Sequence, residues 1–197
     1  MAASDEQVLF AYDLGSPYVW LAAERIDDVL PARPTWLPVL LGAIFKAKGR
    51  SSWGQGPKRD EGMAEIERRA ADRGLGEVRW PGSWPNDGLR VMRAAVRAHQ
   101  LGAGERFAIA ALRTHFRDGL ALSDDASIAT AAERADLDPG ALLAATADPA
   151  VKAELRANTE RALELGVFGV PTVVVRSQVF WGDDQLEGAA AAASRTD

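Results

Sequence analysis

The segment Val8–Trp20 contains a serine where a protein can bind an anion or a thiolate. Residues 8–13 form an apolar run with β-branched and aromatic side chains, which predicts a buried strand. The run is broken around Gly15, and Pro17 stands where the first turn of a helix tolerates proline best. Ser16 is therefore predicted at the helix N-cap. Unpaired N–H groups and the positive end of the helix dipole converge there, so a thiolate beside the hydroxyl would be stabilised.

The residue content excludes several kinds of chemistry. The 197-residue chain contains no cysteine, so disulfides, thiolate metal sites and dithiol exchange by the protein itself are excluded. Its histidines, His99 and His115, fall in different predicted helices and lack the spacing of metal ligands. Ser16 is not in a Gly-x-Ser-x-Gly turn, which disfavours a serine hydrolase. We expect no metal site.

Charge and hydropathy argue against nucleic-acid and membrane partners. The formal net charge of −5 is unfavourable for a nucleic-acid surface. No apolar run reaches the length that spans a bilayer. Residues 1–6 lack the basic start and apolar core of a secretory signal, so we expect a cytoplasmic protein.

Hydrophobic periodicity places strands at both ends of the chain. It predicts a helix over residues 17–30 and a second strand over 35–40, which with the first strand form a parallel β-α-β unit. Runs of β-branched residues at 169–175 and 178–181 predict a hairpin, and Gly182-Asp183-Asp184 is expected to cap a final helix over about 185–193. The pattern indicates an α/β protein with a mixed four-stranded sheet.

The order of elements is β-α-β, then a helical block, then β-β-α, and it is accompanied by several characteristic stretches. These are Asp13-Leu14-Gly15-Ser16-Pro17-Tyr18, Pro38 to Lys46, Gly166 to Thr172, Phe180 to Leu186 and, more weakly, Pro85-Asn86 with Leu89 and Arg93. In this order and with these stretches the chain resembles a thioredoxin-like fold of the DsbA-like branch and, within it, the 2-hydroxychromene-2-carboxylate isomerase and kappa-class glutathione transferase family. The implied organisation is a discontinuous thioredoxin-like domain, residues 1–41 plus 149–197, with an all-helical insertion domain at 42–148.

The resemblance implies a glutathione site between Ser16 and the segment around Pro171. It implies a cis peptide bond between Val170 and Pro171, with the N–H and C=O of Val170 free to pair with the cysteinyl unit of glutathione. Asp184 matches an aspartate that helps to hold the γ-glutamyl ammonium group, and helix capping is its alternative role. Asp183 would contribute through its backbone.

Lys46 matches a position where a cation can reach a carboxylate of the ligand; a solvated surface lysine is an equally good interpretation. The family often carries a loop asparagine that touches glutathione, but residues 51–56 contain none. Gln185 also stands where an arginine is common. These departures leave open a different low-molecular-weight thiol.

Ser16 occupies the position where redox members of the superfamily carry their first cysteine. A hydroxyl that donates to a bound thiol favours the thiolate. The resemblance implies a glutathione-dependent isomerase in which that thiolate adds reversibly to an unsaturated aromatic substrate, and analogy suggests a homodimer. The alternatives are a kappa-like glutathione transferase and a non-catalytic thioredoxin-like protein that binds a peptide or thiol at Val170.

Aromatic and basic residues offer further candidates. Trp53, Trp80 and Trp84 flank the helical block and could wall a flat aromatic pocket, or could simply pack the loops. Arg93 and Arg97 share one face of a predicted helix. They could meet a substrate carboxylate, with surface ion pairing as the alternative.

Overall fold

The computed structural model describes residues 8–82 and 84–195. The sequence prediction about a secretory signal falls on residues 1–6, outside the described residues. In the described part of the chain the helices are α1 Pro17–Ala23, α2 Ile26–Val29, α3 Leu41–Ala47, α4 Arg59–Asp72, α5 Leu89–Gln100, α6 Gly104–Phe116, α7 Asp125–Arg134, α8 Pro139–Ala145, α9 Pro149–Glu164 and α10 Leu186–Ala193, with a 3₁₀ turn at Trp53–Gln55.

Four strands form one mixed sheet, as predicted. They are β1 Val8–Tyr12, β2 Thr35–Pro38, β3 Thr172–Val175 and β4 Gln178–Trp181. The strand order is β2-β1-β3-β4, with β1 parallel to β2 and the other neighbouring pairs antiparallel. Residues 9–12 of β1 are buried on both faces, as expected of a central strand covered by helices.

The predicted helix over residues 17–30 is wrong in one respect, because the structure divides it into α1 and α2. Arg25 lies between them with φ −137° and ψ −3°, outside the helical region. Its guanidinium pairs with Glu187 of α10. Ile26 is buried directly after the break, so the apolar periodicity continues across it. The pattern of hydrophobic residues therefore contains no sign of the interruption.

A continuous hydrophobic core joins the sheet to the helical block. Helix α1 packs against α6, and α5 packs against both α9 and β2. The division into two domains at residues 41 and 149 stays a prediction. None of the described helices is long and apolar enough to cross a membrane.

The free energy of unfolding is expected to depend on pH because of His115 of α6. The side chain is fully buried, and Nδ1 lies 2.9 Å from the Leu120 carbonyl oxygen. Burial lowers the pKa of His115 from 6.5 to about 4, although the hydrogen bond to the Leu120 carbonyl acts in the opposite direction. Because the folded protein binds this proton less readily than the unfolded chain, stability is fully present above pH 6.5 and falls toward pH 4. The expected loss is about 3 kcal/mol.

Urea unfolding at a series of pH values measures this effect. The His115→Asn variant removes the titrating group while keeping an N–H near the Leu120 carbonyl, so we expect a flatter dependence on pH. His99 is exposed at the end of α5 and supplies the control, because His99→Asn should leave the dependence unchanged. If the unfolding free energies of His115→Asn and of the unmodified protein change with pH in the same way, His115 is not the source of the pH dependence.

Candidate active site

The structure brings the predicted site residues together around one cavity of about 1030 Å³. It lies where the carboxyl ends of β1 and β2 meet the chain entering β3 and the turn after β4. Its lining includes all six of them: Ser16, Lys46, Val170, Pro171, Asp183 and Asp184. The roles of these residues stay predictions, and the geometry around each limits what it can do.

Ser16 occupies the N-cap position of α1, but its hydroxyl does not cap the helix. The residue has extended backbone angles, φ −93° and ψ 119°, and its carbonyl accepts from the N–H groups of Val19 and Trp20. Its side chain makes no capping hydrogen bond, and the residue is only 5% exposed. The hydroxyl is therefore available to a ligand in the cavity, and capping alone does not account for Ser16.

Asp13 fixes the turn that carries Ser16, a role that sequence reasoning missed. One carboxylate oxygen accepts from the Gly15 N–H at 2.9 Å and the other from the Leu41 N–H at 2.8 Å. Burial raises the pKa of Asp13, and these two hydrogen bonds oppose that rise. The carboxyl thereby joins the end of β1, the Ser16 turn and the start of α3. An acidic residue directly after a buried strand was the available sequence signal.

The segment before β3 presents an unpaired backbone group. The peptide bond between Val170 and Pro171 is cis. The neighbouring residues are fixed: Thr172 donates to the Gly169 carbonyl at 2.7 Å, and the Gly182 N–H donates to the Pro171 carbonyl at 3.0 Å. Over the two described ranges, no hydrogen bond involves the N–H or C=O of Val170. An extended ligand could pair there.

Asp184 has no capping role. The final helix starts at Leu186 with Gln185 at its N-cap, and no side chain caps it, so the prediction of a cap at Gly182-Asp183-Asp184 is wrong. Asp184 is exposed, and within the part of the chain that the structure describes its carboxylate makes no hydrogen bond or ion pair. The same holds for the ammonium group of Lys46 on α3. The cavity therefore carries an anion and a cation without internal partners.

The carboxylate of Asp183, unlike that of Asp184, forms ion pairs within the protein. Asp183 is 1% exposed, and its two carboxylate oxygens lie 2.8 Å from Arg69 and 2.5 Å from Arg73. Both arginines belong to the last turns of α4 or follow directly after it. The side chain of Asp183 therefore fastens α4 over the cavity, which leaves only its backbone for a ligand. A pairing over more than a hundred residues had no signal in the sequence.

Aromatic rings form one wall of the cavity. The rings of Trp53 and Trp84 are 5.1 Å apart, and that of Tyr18 is 6.2 Å from Trp53. The Trp84 indole donates to the Gly15 carbonyl at 3.1 Å, which ties the wall to the Ser16 turn. Trp80 packs behind Trp84 at 4.6 Å and does not line the cavity. Of the three tryptophans considered as pocket walls, two serve as such.

A glycine on α4 permits this arrangement. A Cβ atom at Gly62 would lie 2.3 Å from the Trp53 ring, closer than any real contact. The ring can therefore rest directly on the helix backbone. Because α4 is fastened by Asp183, the aromatic wall is held by the same helix.

Arg50 is a further lining residue that sequence reasoning did not single out. Its guanidinium lies 5.8 Å from the ring centre of Phe45, 6.0 Å from that of Phe168 and 5.4 Å from that of Trp181. It donates to the Phe168 carbonyl at 3.4 Å and, among the described residues, makes no ion pair. The three rings hold this cation at the cavity rim, where it could meet a carboxylate.

The two arginines proposed as carboxylate partners lie elsewhere. Neither Arg93 nor Arg97 lines the cavity. Arg97 donates to Gln100 on its own helix at 3.0 Å, and the Arg93 Nε is buried. The prediction that they could meet a substrate carboxylate finds no support in their positions.

Comparison with known proteins places this geometry in a family. Residues 7–193 match the model of the DSBA-like thioredoxin domain. The chain belongs to the DsbA-like thioredoxin domain family. It is 30% identical over 185 residues to the 2-hydroxychromene-2-carboxylate isomerase of Sphingobium xenophagum, covering 90% of this chain and 93% of that protein. This relationship confirms the predicted family. It also confirms the prediction that the protein is an enzyme.

Solved structures of DsbA-like proteins agree with the fold. The structure of a 2-hydroxychromene-2-carboxylate isomerase superposes with a TM-score of 0.81 at 21% identity, covering 94% of this chain and 93% of the other. A probable DsbA oxidoreductase from Streptomyces coelicolor gives a TM-score of 0.72 at 23% identity, covering 97% and 92%. The predicted thioredoxin-like fold is thereby confirmed. This DsbA-like chain has no cysteine with which to perform dithiol exchange.

Proposed function

We propose that this DsbA-like protein is a glutathione-dependent isomerase of the 2-hydroxychromene-2-carboxylate isomerase type. One observation carries the proposal. The buried Ser16 hydroxyl, without a capping bond, and the unpaired backbone of Val170 line the same cavity in a chain that has no cysteine. A site of that kind can bind a thiol and favour its ionisation, while the sulfur comes from outside the protein.

The residues around the cavity fit glutathione by their chemistry. The N–H and C=O of Val170 can pair with an extended peptide backbone. The free carboxylate of Asp184 can hold an ammonium group, and the free cations of Lys46 and Arg50 can hold a carboxylate. When bound, glutathione would supply the nucleophilic sulfur for reversible addition to the substrate. Ser16 would donate its hydroxyl hydrogen to that sulfur, assisted by the N-terminus of α1.

The aromatic wall supports a flat aromatic substrate. Trp53 and Trp84 present ring surface to the cavity beside the Ser16 turn, and Tyr18 extends it. Burial raises the pKa of Tyr18, so its phenol stays protonated and can donate a hydrogen bond. These rings would orient the substrate and exclude water from one side of the reacting sulfur.

An absorbance assay with 2-hydroxychromene-2-carboxylate tests the proposal. Isomerisation is expected to require both the protein and glutathione, and to stop when the thiol is removed. Conjugation of chlorodinitrobenzene without isomerisation would instead identify a transferase. Isothermal titration with glutathione gives a second readout. A protein that binds glutathione but is inactive in both assays would be a binding module, and one that does not bind glutathione would overturn the proposal.

Location and assembly belong to the same proposal. A cytoplasmic protein would have a reducing thiol pool at hand, and we propose that location. Light scattering coupled to size-exclusion chromatography distinguishes the proposed homodimer from a monomer.

A further inference from the structure

A second groove, separate from the candidate active site, is rich in arginine. It has a volume of about 710 Å³ and lies between the segment that follows α4 and the exposed face of α6. It shares no lining residue with the cavity around Ser16. Its lining contains five arginines, which are Arg79, Arg106, Arg113, Arg117 and Arg134.

The positive charge of this groove is only partly neutralised. Arg113 makes a two-point pair with Glu24, at 2.9 Å and 2.7 Å, and Arg134 pairs with Asp118. Glu77 approaches Arg79 to no closer than 3.9 Å, with both side chains exposed. Such a contact in solvent has little energy.

Two arginines in the groove make no salt bridge among the described residues, although Glu24 attracts Arg117 at longer range. Over residues 8–82 and 84–195, neither Arg106 nor Arg117 makes an ion pair, and both are exposed. Arg106 lies two turns before Arg113 on α6, and Arg117, directly after α6, lies one turn beyond it, so all three are on one helix face. Two guanidinium groups without a salt bridge therefore flank one that is already fixed by Glu24.

The opposite wall is fixed relative to this face. The Arg79 N–H donates to the Phe116 carbonyl at the end of α6, at 2.8 Å. The lining also contains three apolar residues, Leu75, Ile109 and Ala110, which together are called the apolar floor below. A small inorganic ion would leave most of this volume and the apolar floor uncovered.

From this combination we infer that the groove binds an organic polyanion, with two or more phosphate groups attached to an apolar or aromatic body. A guanidinium group can donate two parallel hydrogen bonds to phosphate oxygens and can stack on a flat ring. The apolar floor would contact the apolar or aromatic part of the ligand. The volume lies in the range of sites for molecules of nucleotide size. The inference does not depend on the proposed thiol chemistry.

Isothermal titration of the full chain with adenosine triphosphate and with coenzyme A tests the inference. We expect both probes to bind, and the Arg106→Gln/Arg117→Gln double variant to bind them at least tenfold more weakly, because two charge-assisted contacts are lost. The matched control is Arg156→Gln/Arg161→Gln, which removes equal charge from an exposed part of α9. The control should bind both probes like the unmodified protein.

Four results would overturn the inference. The first two are that neither probe gives a heat of binding, and that both double variants weaken binding equally. The other two are that inorganic phosphate binds as tightly as the organic probes, and that either probe competes with glutathione. Competition would place the probe in the Ser16 cavity instead. Because glutathione binding is measured by its own titration, failure of the groove is distinguished from failure of the proposed thiol site.

Discussion

Replacing Ser16 by alanine is expected to lower kcat/KM for glutathione-dependent isomerisation about 100-fold or more. The variant loses a hydrogen-bond donor to the ionised sulfur, and loss of one such donor to a developing anion costs about 3 kcal/mol. The bound thiol should then ionise at higher pH. The pH profile of kcat/KM for the chromene substrate, measured with glutathione bound, should therefore shift to higher pH. Steady-state rates across pH, together with the ultraviolet absorbance of the bound thiolate, measure both effects.

The control for this substitution is a serine remote from the cavity. Ser177 lies exposed in the turn between β3 and β4, and Ser177→Ala should leave both the rate and the pH profile unchanged. If Ser16→Ala stays within about twofold of the unmodified protein, donation to the sulfur contributes less than ~0.5 kcal/mol, and the role assigned to Ser16 is wrong.

The parts of this protein that sequence predicted are those with a local signal. The buried run of β1 and the β-branched run of β3 each predict a strand by themselves, and Pro17 marks the start of a helix. The family resemblance of the motifs around Ser16 and Pro171 then implied a shared site, and both motifs line one cavity. Local signals place each motif at the end of a regular element, whereas the expectation that the two meet came from the resemblance.

The parts that sequence did not predict depend on contacts between distant residues. The ion pairs of Asp183 with Arg69 and Arg73 join α4 to the turn after β4, and the rings around Arg50 come from three separate segments. Both arrangements exist only in the folded protein. Asp183 was predicted to bind the ligand through its backbone because it adjoins Asp184, whose match to the family's aspartate the resemblance supplied; in the structure Asp184 is exposed and Asp183 is buried. Two adjacent carboxylates thus have opposite environments, and no property of the sequence distinguishes them.

The tertiary contacts also connect the helical block to the candidate active site. Helix α4 carries Gly62 under Trp53, and Trp53 lies against Trp84, which donates to the carbonyl of Gly15. The fastening of α4 by Asp183 is therefore continuous, through packed rings, with the turn that holds Ser16. Loosening that ion pair should affect the cavity wall as well as the stability of the fold.

Asp183→Asn is accordingly expected to cost about 3 kcal/mol of folding free energy. Removing one partner of a buried ion pair leaves the remaining charge without compensation, which costs more than the intact pair contributes. Both Arg69 and Arg73 lose this carboxylate. Arg69 keeps its pair with Glu65 at 2.6 Å, so Arg73 is the guanidinium that loses its salt-bridge partner. Urea unfolding at neutral pH measures the loss, and tryptophan fluorescence of the folded variant reports any movement of Trp53 and Trp84.

The adjacent residue provides the matched control for that measurement. Asp184→Asn makes the same chemical change one position later, at an exposed carboxylate without an ion pair in the described part of the chain, so its cost in stability should stay below about 0.5 kcal/mol. A second substitution, Arg73→Gln in the Asp183→Asn background, should recover part of the loss because it removes the guanidinium that lost its salt-bridge partner. Equal stability of the two asparagine variants would show that the ion pairs of Asp183 do not hold α4 in place.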